Sequence, residues 1–367
     1  MSASFILVAI AAVLALTGST AAEPTRDRLS RVAQGAKRVE RAVLLNAAVI
    51  GTRIVAVGER GIVALSDDSG LTWRQAAQVP SSVTLTSVKF ATPMIGWAVG
   101  HGGVVLRTTD GGERWVAQLD GLKAAHLALQ QALAQSGDKD AGKRLQDAEL
   151  LVTDGADKPF LDIECLDEQR VIVVGAYGLI FASTDGGTNW TPWMGRLDNP
   201  KGLHLYSIRK SGEKLVLVGE QGLVLHSGNA GTSFSRWSSP YAGSWFSLAL
   251  TRDGDFVVAG LRGNAYRVSD DGKSWQHLEG ATPSAFTSVV PYRDDCLLLT
   301  NQAGQVFSLR SGQNGLQRLA VPALAPVTGI TRLASGSWLA LTAQGPADLG
   351  LLESACGAPT SGQKTNP

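Results

Sequence analysis

Short apolar runs rich in β-branched residues alternate with glycine-containing turns along most of this chain. In each unit one run leads through a Gly-x-x-Gly-like sequence into a second run, as in "VIVVGAYGLIFA" at 171–182. This pattern predicts a β-hairpin, because β-branched residues favour strands and glycine permits tight turns. The hairpins are predicted at residues 54–65, 96–107, 171–182, 215–226, 256–267 and 297–308, with a less regular candidate at 336–352.

A polar motif that ends in an aromatic residue follows the hairpins. It reads "SDDSGLTW" at 66–73, "TTDGGERW" at 108–115, "STDGGTNW" at 183–190 and "VSDDGKSW" at 268–275, with weaker copies at 227–234 and 308–315. Apart from one longer interval, the copies recur about every 41 residues, which is within the range of propeller blades. An active-site loop does not normally recur at a fixed spacing, so we interpret the motif as a structural turn.

The residue types in the motif suit a structural turn. We expect the aspartate to accept backbone N–H groups two residues on, the glycine to adopt a positive φ, and the tryptophan to bury apolar surface between neighbouring units. The residues assigned to these roles are Asp68, Gly70, Trp73, Asp110, Gly112, Trp115, Asp185, Gly187, Trp190, Asp270, Gly272 and Trp275. None of these roles requires a ligand.

One more strand before each hairpin and one after each motif bring the unit to four strands, as in a propeller blade. The predicted fold class is therefore all-β, a seven-bladed β-propeller of four-stranded blades, with a six-bladed ring as the alternative. The last unit lacks its own fourth strand. Residues 37–43 are predicted to supply it, which would close the ring and leave no exposed edge.

The longer interval between the second and third motifs indicates an insertion at residues 120–159. Leu122, His126, Leu129 and Leu133 fall at helical spacing, and a second helical pattern follows, so the insertion is predicted to be a helical hairpin. In a propeller this connection lies on the same face as the turns between second and third strands. The turn residues predicted to bind a partner on that face are Glu59, Arg60, His101, Tyr177, Glu220, Gln221, Arg262 and Gln302.

The two ends of the chain differ from the repeats. Residues 1–22 have the apolar run and small residues of a secretory signal peptide, and no cysteine is placed for a lipid anchor. Residues 23–42 form an N-terminal segment, residues 43–354 the propeller, and residues 355–367 a flexible tail. We therefore expect an exported protein that is soluble after signal removal, in the periplasm or, in a photosynthetic host, the thylakoid lumen.

Charge and metal-ligating residues exclude several classes of function. With 33 basic and 32 acidic residues, the chain offers no electrostatic case for nucleic acid. The histidines show no ligand spacing and the "TDGG" turns lack the acidic positions that calcium requires, so neither a metal nor another cofactor is predicted. Three cysteines, Cys165, Cys296 and Cys356, form no disulfide framework. Buried free thiols are favoured over a bridge between Cys165 and Cys296.

The motif is the Asp-box, or BNR, repeat, and the fuller pattern "VGxxGxIxxSTDGGxxW" at 174–190 resembles the photosystem II stability/assembly factor family. The resemblance covers roughly residues 40 to 352, apart from 120–159. It implies an exported, non-enzymatic propeller that binds a membrane-protein complex, or its exposed tail, partly through basic residues on one face, and we expect a monomer. Arg60 and Arg262 are the positions that match this role. In a non-photosynthetic host, an envelope transporter is an equal candidate for the partner.

The alternative function is that of a sialidase-like glycoside hydrolase, since sialidases carry the same Asp-box. Such an enzyme needs a tyrosine nucleophile assisted by a glutamate, and arginines for the substrate carboxylate. Tyr177, Glu59 and Glu220 could approach one another across the turn face, although nothing in their spacing requires it. No Arg-Ile-Pro tripeptide precedes the first box, where sialidases carry one of those arginines. The chain is therefore predicted not to be an enzyme.

Overall fold

Seven antiparallel sheets follow one another in chain order around a central channel, and each sheet is one blade of a propeller. The computed structural model describes residues 25–135, 137, 140–293, 296–352 and 356. The predicted signal peptide lies outside these residues, as does the predicted tail apart from Cys356. The structure confirms the predicted propeller fold, its seven blades and the helical insertion.

Each of the first six blades has four strands, whereas the seventh has three. Blades 1 to 3 consist of β1 (Leu44–Ile50), β2 (Arg53–Gly58), β3 (Val63–Ser66), β4 (Arg74–Gln75), β5 (Leu85–Phe90), β6 (Gly96–Gly100), β7 (Val105–Thr108), β8 (Val116–Leu119), β9 (Phe160–Cys165), β10 (Val171–Gly175), β11 (Ile180–Ser183) and β12 (Thr191–Pro192). Blades 4 to 7 consist of β13 (Leu205–Ser211), β14 (Lys214–Gly219), β15 (Val224–Ser227), β16 (Ser235–Arg236), β17 (Trp245–Leu250), β18 (Phe256–Gly260), β19 (Ala265–Val268), β20 (Trp275–His277), β21 (Phe286–Arg293), β22 (Cys296–Asn301), β23 (Val306–Arg310), β24 (Gln317–Arg318), β25 (Val327–Arg332), β26 (Trp338–Thr342) and β27 (Gly345–Gly350).

The second strand of each blade is buried along nearly its whole length. It lies inside its sheet and between two neighbouring blades, which is why the sequence shows continuous apolar runs rather than alternation. Trp97 and Trp338, both in second strands, are fully buried. The first strands surround the central channel, and the Asp-box turns lie at the opposite face from the turns between second and third strands.

The Asp-box turns are structural, but their aspartates reach further than predicted. The Asp185 carboxylate accepts the backbone N–H of Asn189, four residues on rather than two, at 2.9 Å. The Ser183 hydroxyl donates to Asp185 at 2.9 Å and accepts the Gly187 N–H at 2.8 Å. Trp190 is buried, and its indole N–H donates to the Gly187 carbonyl at 3.0 Å. The indole bond recurs between Trp73 and Gly70, Trp115 and Gly112, and Trp275 and Gly272.

In blade 5 the capping aspartate is Asp271, so the assignment of Asp270 to the Asp-box is wrong. The first position of this box is Val268, which has no hydroxyl group. Ser269 takes the role of the missing hydroxyl and donates to Asp271 at 2.7 Å. Asp270 instead forms an ion pair with Lys214. Because Val268 lacks a hydroxyl group, the capping hydroxyl and the capping carboxylate of this box each come from the next residue along the chain, Ser269 and Asp271.

The ring closes by packing, not by the predicted fourth strand from residues 37–43. Within the described residues this segment forms a single 3-10 turn, Val39–Arg41, that lies against β27. The contact is close, because a Cβ at Gly345 would come within 2.1 Å of the Glu40 carbonyl oxygen. The Thr328 hydroxyl of blade 7 donates to the Leu44 carbonyl of blade 1 at 2.6 Å. Side-chain and backbone contacts therefore join the two ends of the propeller.

The prediction of buried free thiols is wrong for two of the three cysteines. Cys296 and Cys356 form a disulfide with a Cα–Cα distance of 6.3 Å. The two cysteines are 60 residues apart in sequence. Cys296 begins β22, and Cys356 lies beside it because the chain returns there after blade 7. Cys165 remains a free thiol, and burial raises its pKa to about 12.

The insertion between blades 2 and 3 consists of α1 (Gly121–Ala134) and α2 (Ala141–Asp154). Asp120 caps α1 by accepting the Lys123 N–H at 2.8 Å. The leucine spacing predicted the helix correctly but not its buried face. That face is formed by small residues, namely Ala124, Ala125, Ala128 and Ala132, while Leu133 is 59% exposed. None of the described helices is long and apolar enough to cross a membrane.

Candidate functional site

The turns between second and third strands share one face of the ring, as predicted, and in blades 1 to 5 each is a single 3-10 turn. These turns are Glu59–Gly61, His101–Gly103, Ala176–Gly178, Glu220–Gly222 and Leu261–Gly263. A glycine precedes each turn because no side chain fits there. A Cβ at Gly58 would lie 2.0 Å from the Val43 carbonyl oxygen, and the equivalent approach at Gly175 is 2.2 Å to Pro159. The first glycine of the sequence pattern is thus explained by close backbone approach.

The middle residue of each of these turns has a left-handed backbone. Its φ is 54° at Arg60, 55° at Tyr177, 52° at Gln221 and 56° at Arg262, while blade 2 has Gly102 at the same position. A left-handed backbone costs a non-glycine residue roughly 1–2 kcal/mol. All four side chains are exposed, so they recover little of this cost by packing.

Replacing Gln221 with glycine is expected to raise the free energy of unfolding by about 0.5 kcal/mol, because relief of the left-handed strain outweighs the greater freedom of glycine in the unfolded chain. Gln221→Ala is the matched control, since it removes the same side chain but keeps the strain. Urea unfolding of both variants measures the difference. A glycine variant less stable than the alanine variant would contradict the strain argument.

Two of the predicted partner-binding residues also have structural contacts. Glu59 accepts the Val43 N–H at 3.1 Å, and Glu220 accepts the His204 N–H at 3.3 Å, so both carboxylates cap the start of a first strand. The backbone N–H groups of His101 and Gln302 donate to carbonyls of the preceding segment, as the first residue of each other turn also does, and both side chains are exposed. The other exposed residues of the predicted set are Arg60, Tyr177, Gln221 and Arg262.

Tyr177 lies at the centre of a cluster with His204, Glu220 and Lys158, which we call the Tyr177 cluster. The ring centroids of Tyr177 and His204 are 4.8 Å apart, and the Tyr177 backbone N–H donates to His204 Nδ1 at 3.1 Å. Glu220 Oε2 is 3.5 Å from the same nitrogen. The Lys158 ammonium lies 4.8 Å from the centre of the Tyr177 ring. His204 was not predicted as a site residue; its place directly before β13 is the signal that could have identified it.

The hairpin fixes the charge of Lys158. Burial by itself lowers the pKa of this ammonium, but hydrogen bonds to Asp154 at 2.7 Å and Asp157 at 2.8 Å more than offset burial and raise the pKa. The ammonium therefore stays charged above the ring of Tyr177, where a cation–π contact favours it. Through this contact the insertion touches the turn of blade 3.

Aromatic side chains continue from the Tyr177 cluster into the mouth of the channel. The ring of Tyr206 lies 6.1 Å from that of His204 and 5.1 Å from that of Phe246. Burial, followed by the charge of Glu220, raises the pKa of Tyr206, so its hydroxyl stays protonated. The face thus has an aromatic path from the hairpin to the channel.

A groove of about 470 Å³ separates the helical hairpin from the loop at 194–202. Its floor includes Leu151, Met194 and Leu197, and its rim carries charged side chains of both signs, such as Lys201 and Asp198. An apolar floor with a polar rim is the usual anatomy of a protein interface. Tyr177, which is 59% exposed, borders the same groove. The groove is therefore continuous with the exposed turn of blade 3.

A largely buried ion pair inside the channel joins blades 2, 3 and 4, and neither of its residues was predicted as a site residue. Asp162 lies 2.6 Å from Arg209 and accepts hydrogen bonds from Ser87 and Ser207 at 3.0 and 2.9 Å. It also accepts the backbone N–H of Ile208 at 3.0 Å. Burial raises the pKa of Asp162, but the positive charge of Arg209 and these hydrogen bonds outweigh the effect of burial and lower the pKa to about 2.

The residues considered for catalysis come together only in part. Tyr177 and Glu220 meet on either side of His204, while Glu59 is engaged with Val43 two blades away. The cation beside Tyr177 is Lys158, which is already paired with two aspartates. Over the described residues, no group of three or more His, Cys, Asp or Glu side chains could hold a metal ion.

Comparison with known proteins places this surface in context. The family model described as photosynthesis system II assembly factor YCF48 matches residues 146–346, more than half of the chain. No curated protein matches the sequence. A solved structure described as YCF48 bound to D1 peptide is 17% identical, with a TM-score of 0.61, and the match covers 88% of this chain and 96% of that one.

Two further solved structures show the same fold. YCF48 from Cyanidioschyzon merolae is 14% identical with a TM-score of 0.61, and the match covers 85% of this chain and 96% of that one. A streptogramin B lyase is 13% identical with a TM-score of 0.64, and the match covers 86% of this chain and 96% of that one. At these identities the likeness concerns the fold alone.

Proposed function

This chain belongs to the photosystem II assembly factor YCF48 family, and from that premise we propose that it is a non-enzymatic accessory factor that binds an exposed tail of a membrane protein. The proposed binding surface consists of the groove beside the helical hairpin, the Tyr177 cluster, and the turn residues Arg60, Gln221 and Arg262. We call this surface the hairpin face. Binding there would assist assembly or stability of the complex to which the partner belongs.

The observation that carries the proposal is that the strained turns of the hairpin face present large exposed side chains, whereas the equally strained Asp-box turns carry the small residues Ser69 and Ala230. Four exposed side chains occupy left-handed positions where glycine would cost less, as Gly102 shows in blade 2. Strained residues of this kind concentrate where a ligand is bound. Tyrosine and arginine, which account for three of the four, are also the residue types enriched among interface hot spots.

The chemistry of the surface favours a peptide that carries carboxylates as well as apolar side chains. Neither Arg60 nor Arg262 forms an ion pair with any residue that the structure describes, so both guanidinium groups can accept an acidic partner. The apolar floor of the groove would take the partner's hydrophobic side chains. A peptide is also what the related YCF48 structure is described as binding.

The proposal places the protein outside the cytoplasm, in the periplasm or the thylakoid lumen. Support comes from the apolar segment at residues 5–16, which suits a signal peptide. A disulfide between Cys296 and Cys356 also suits an oxidising compartment. A partner embedded in the adjoining membrane could present its tail to a protein in either compartment.

Tyr177→Ala is expected to reduce capture of the partner at least about tenfold, because hot-spot aromatics typically contribute 2 kcal/mol or more. The measurement is quantitative mass spectrometry after crosslinking to detergent-solubilised membranes of the source organism, followed by titration of the partner's exposed tail as a peptide. Alanine keeps the left-handed strain, so stability should change little.

Leu71→Ala is the matched control for this experiment. Leu71 is 83% exposed, but it lies in an Asp-box turn on the opposite face. The Leu71→Ala variant should therefore leave capture of the partner unchanged. Equal capture by wild type and Tyr177→Ala, or loss in the Leu71 variant alone, would refute the assignment of the hairpin face.

A further inference from the structure

A second pocket opens on the face that carries the Asp-box turns, between blades 5, 6 and 7. Its volume is about 430 Å³. It lies where the first strands β17, β21 and β25 end, which is the end of the ring opposite to the hairpin face. Three arginines, Arg252, Arg267 and Arg332, line it together with the hydroxyl-bearing residues Thr251 and Ser311.

The lining of this pocket is positively charged. No aspartate or glutamate belongs to the described lining. Nor does any of the three arginines form an ion pair with a residue that the structure describes. The neighbouring carboxylate, Asp253, accepts a hydrogen bond from the Ser311 hydroxyl instead. Three like charges that line one pocket repel one another, so an anion placed among them would be stabilised.

Arg267 shows most clearly that a negative partner fits here. Arg267 is only 8% exposed, and its Nη2 donates to the carbonyls of Arg310 at 3.4 Å and Gln313 at 3.3 Å. Its Nε is buried and has no hydrogen-bond partner among the described residues. A buried guanidinium with an unused donor is costly unless an acceptor reaches it.

Arg332 is also held in position. Arg332 Nη1 donates to the Tyr292 carbonyl at 3.3 Å, and the guanidinium carbon lies 5.9 Å from the centre of the Tyr292 ring. The disulfide of Cys296 forms part of the wall beside the arginines. Donors that are fixed before binding lose less entropy when a ligand arrives.

We propose that this pocket binds a small multivalent oxyanion, in the form of a phosphate or carboxylate group carried by a soluble molecule. The planar guanidinium fork matches the oxygen spacing of both groups. A volume of about 430 Å³ exceeds what one inorganic ion needs, so the natural ligand would be an organic phosphate or a polycarboxylate. This site is separate from the hairpin face and goes beyond the docking function proposed above.

Isothermal titration of the purified protein with inorganic phosphate and, separately, with citrate tests the site at constant ionic strength set by sodium chloride. Saturable binding of either anion is expected. Arg252→Gln and Arg332→Gln should each weaken it about tenfold, since a charge-assisted hydrogen bond contributes enough for that factor. Both positions are exposed, so these variants should fold.

Arg236→Gln is the control, because Arg236 lies exposed in β16 of blade 4, away from the pocket. Preference for phosphate would identify a phosphate ligand, and preference for citrate a carboxylate ligand. No saturable binding of either anion, or equal binding by all variants, would overturn the proposal. Since the pocket and the hairpin face are at opposite ends of the ring, the pocket variants should still capture the membrane partner.

Discussion

Replacing Asp162 with alanine is expected to lower the free energy of unfolding by about 3–5 kcal/mol, the cost of breaking a buried ion pair by removing one partner. The variant leaves Arg209, whose side chain is only 28% exposed, without its paired carboxylate, and only the charge of Glu164 still favours it. It also removes the acceptor used by Ser87, Ser207 and the Ile208 N–H. Because these groups belong to blades 2, 3 and 4, the loss should loosen three blades together. Urea unfolding followed by tryptophan fluorescence measures it.

The same carboxylate predicts a dependence of stability on pH. Its pKa is about 2 in the folded protein and 3.8 in its ordinary state, so folding favours the ionised form. A lowered folded-state pKa contributes stability that is complete above about pH 4 and is lost as the pH falls towards 2, in total about 2 kcal/mol. The difference in stability between wild type and Asp162→Ala should therefore shrink over this range. A constant difference would show that the carboxylate does not titrate as described.

The double variant Asp162→Ala/Arg209→Met separates the ion pair from general damage to the channel. Removing both charges avoids leaving one of them unpaired, so the double variant should be clearly more stable than the sum of the two single variants predicts. Strictly additive losses would mean that Asp162 acts through its hydrogen bonds alone. Either result assigns the stabilisation to particular contacts.

Local sequence signals were enough to predict the fold. The glycine at position 58 and its equivalents are required by a backbone approach that repeats in blades 1 to 5, so they recur in the sequence at blade spacing. Contacts between blades leave no such trace. Asp162 and Arg209 pair across strands of different blades, and only their polarity within otherwise apolar strands hints at the bond. The pairing of Cys296 with Cys356 escaped prediction for the same reason.

The candidate site was predicted as a face more accurately than as a set of residues. Blade order fixes which turns share a face, and it placed the insertion beside them correctly. It does not distinguish a carboxylate that caps a strand, such as Glu59, from an exposed side chain such as Arg262. The side-chain hydrogen bond of Glu59 makes that distinction, and it depends on a contact that only the folded chain shows.

Removing residues 122–155 is expected to leave a folded propeller and to lower capture of the membrane partner by about 100-fold or more. The ends of the insertion are already adjacent, because a Cβ at Gly121 would lie 2.8 Å from the Ala156 Cα. A linker of a few glycines can therefore join them without distorting β8 or β9. The deletion removes one whole wall of the groove, whereas Tyr177→Ala removes a single side chain, so its effect on capture should be the larger.

Two measurements keep this deletion interpretable. Unfolding by urea should remain cooperative, since the core between blades 2 and 3 also contains Trp97, Phe160 and Phe181, none of which belongs to the insertion. A second variant, Leu133→Ser, changes an exposed residue of α1 and keeps both helices. If the partner docks along the hairpin itself, this variant should weaken capture in part. Full capture by a folded deletion variant would rule out the hairpin and its groove as the docking site, and would leave the strained turns of the ring as the remaining place on that face to bind a partner.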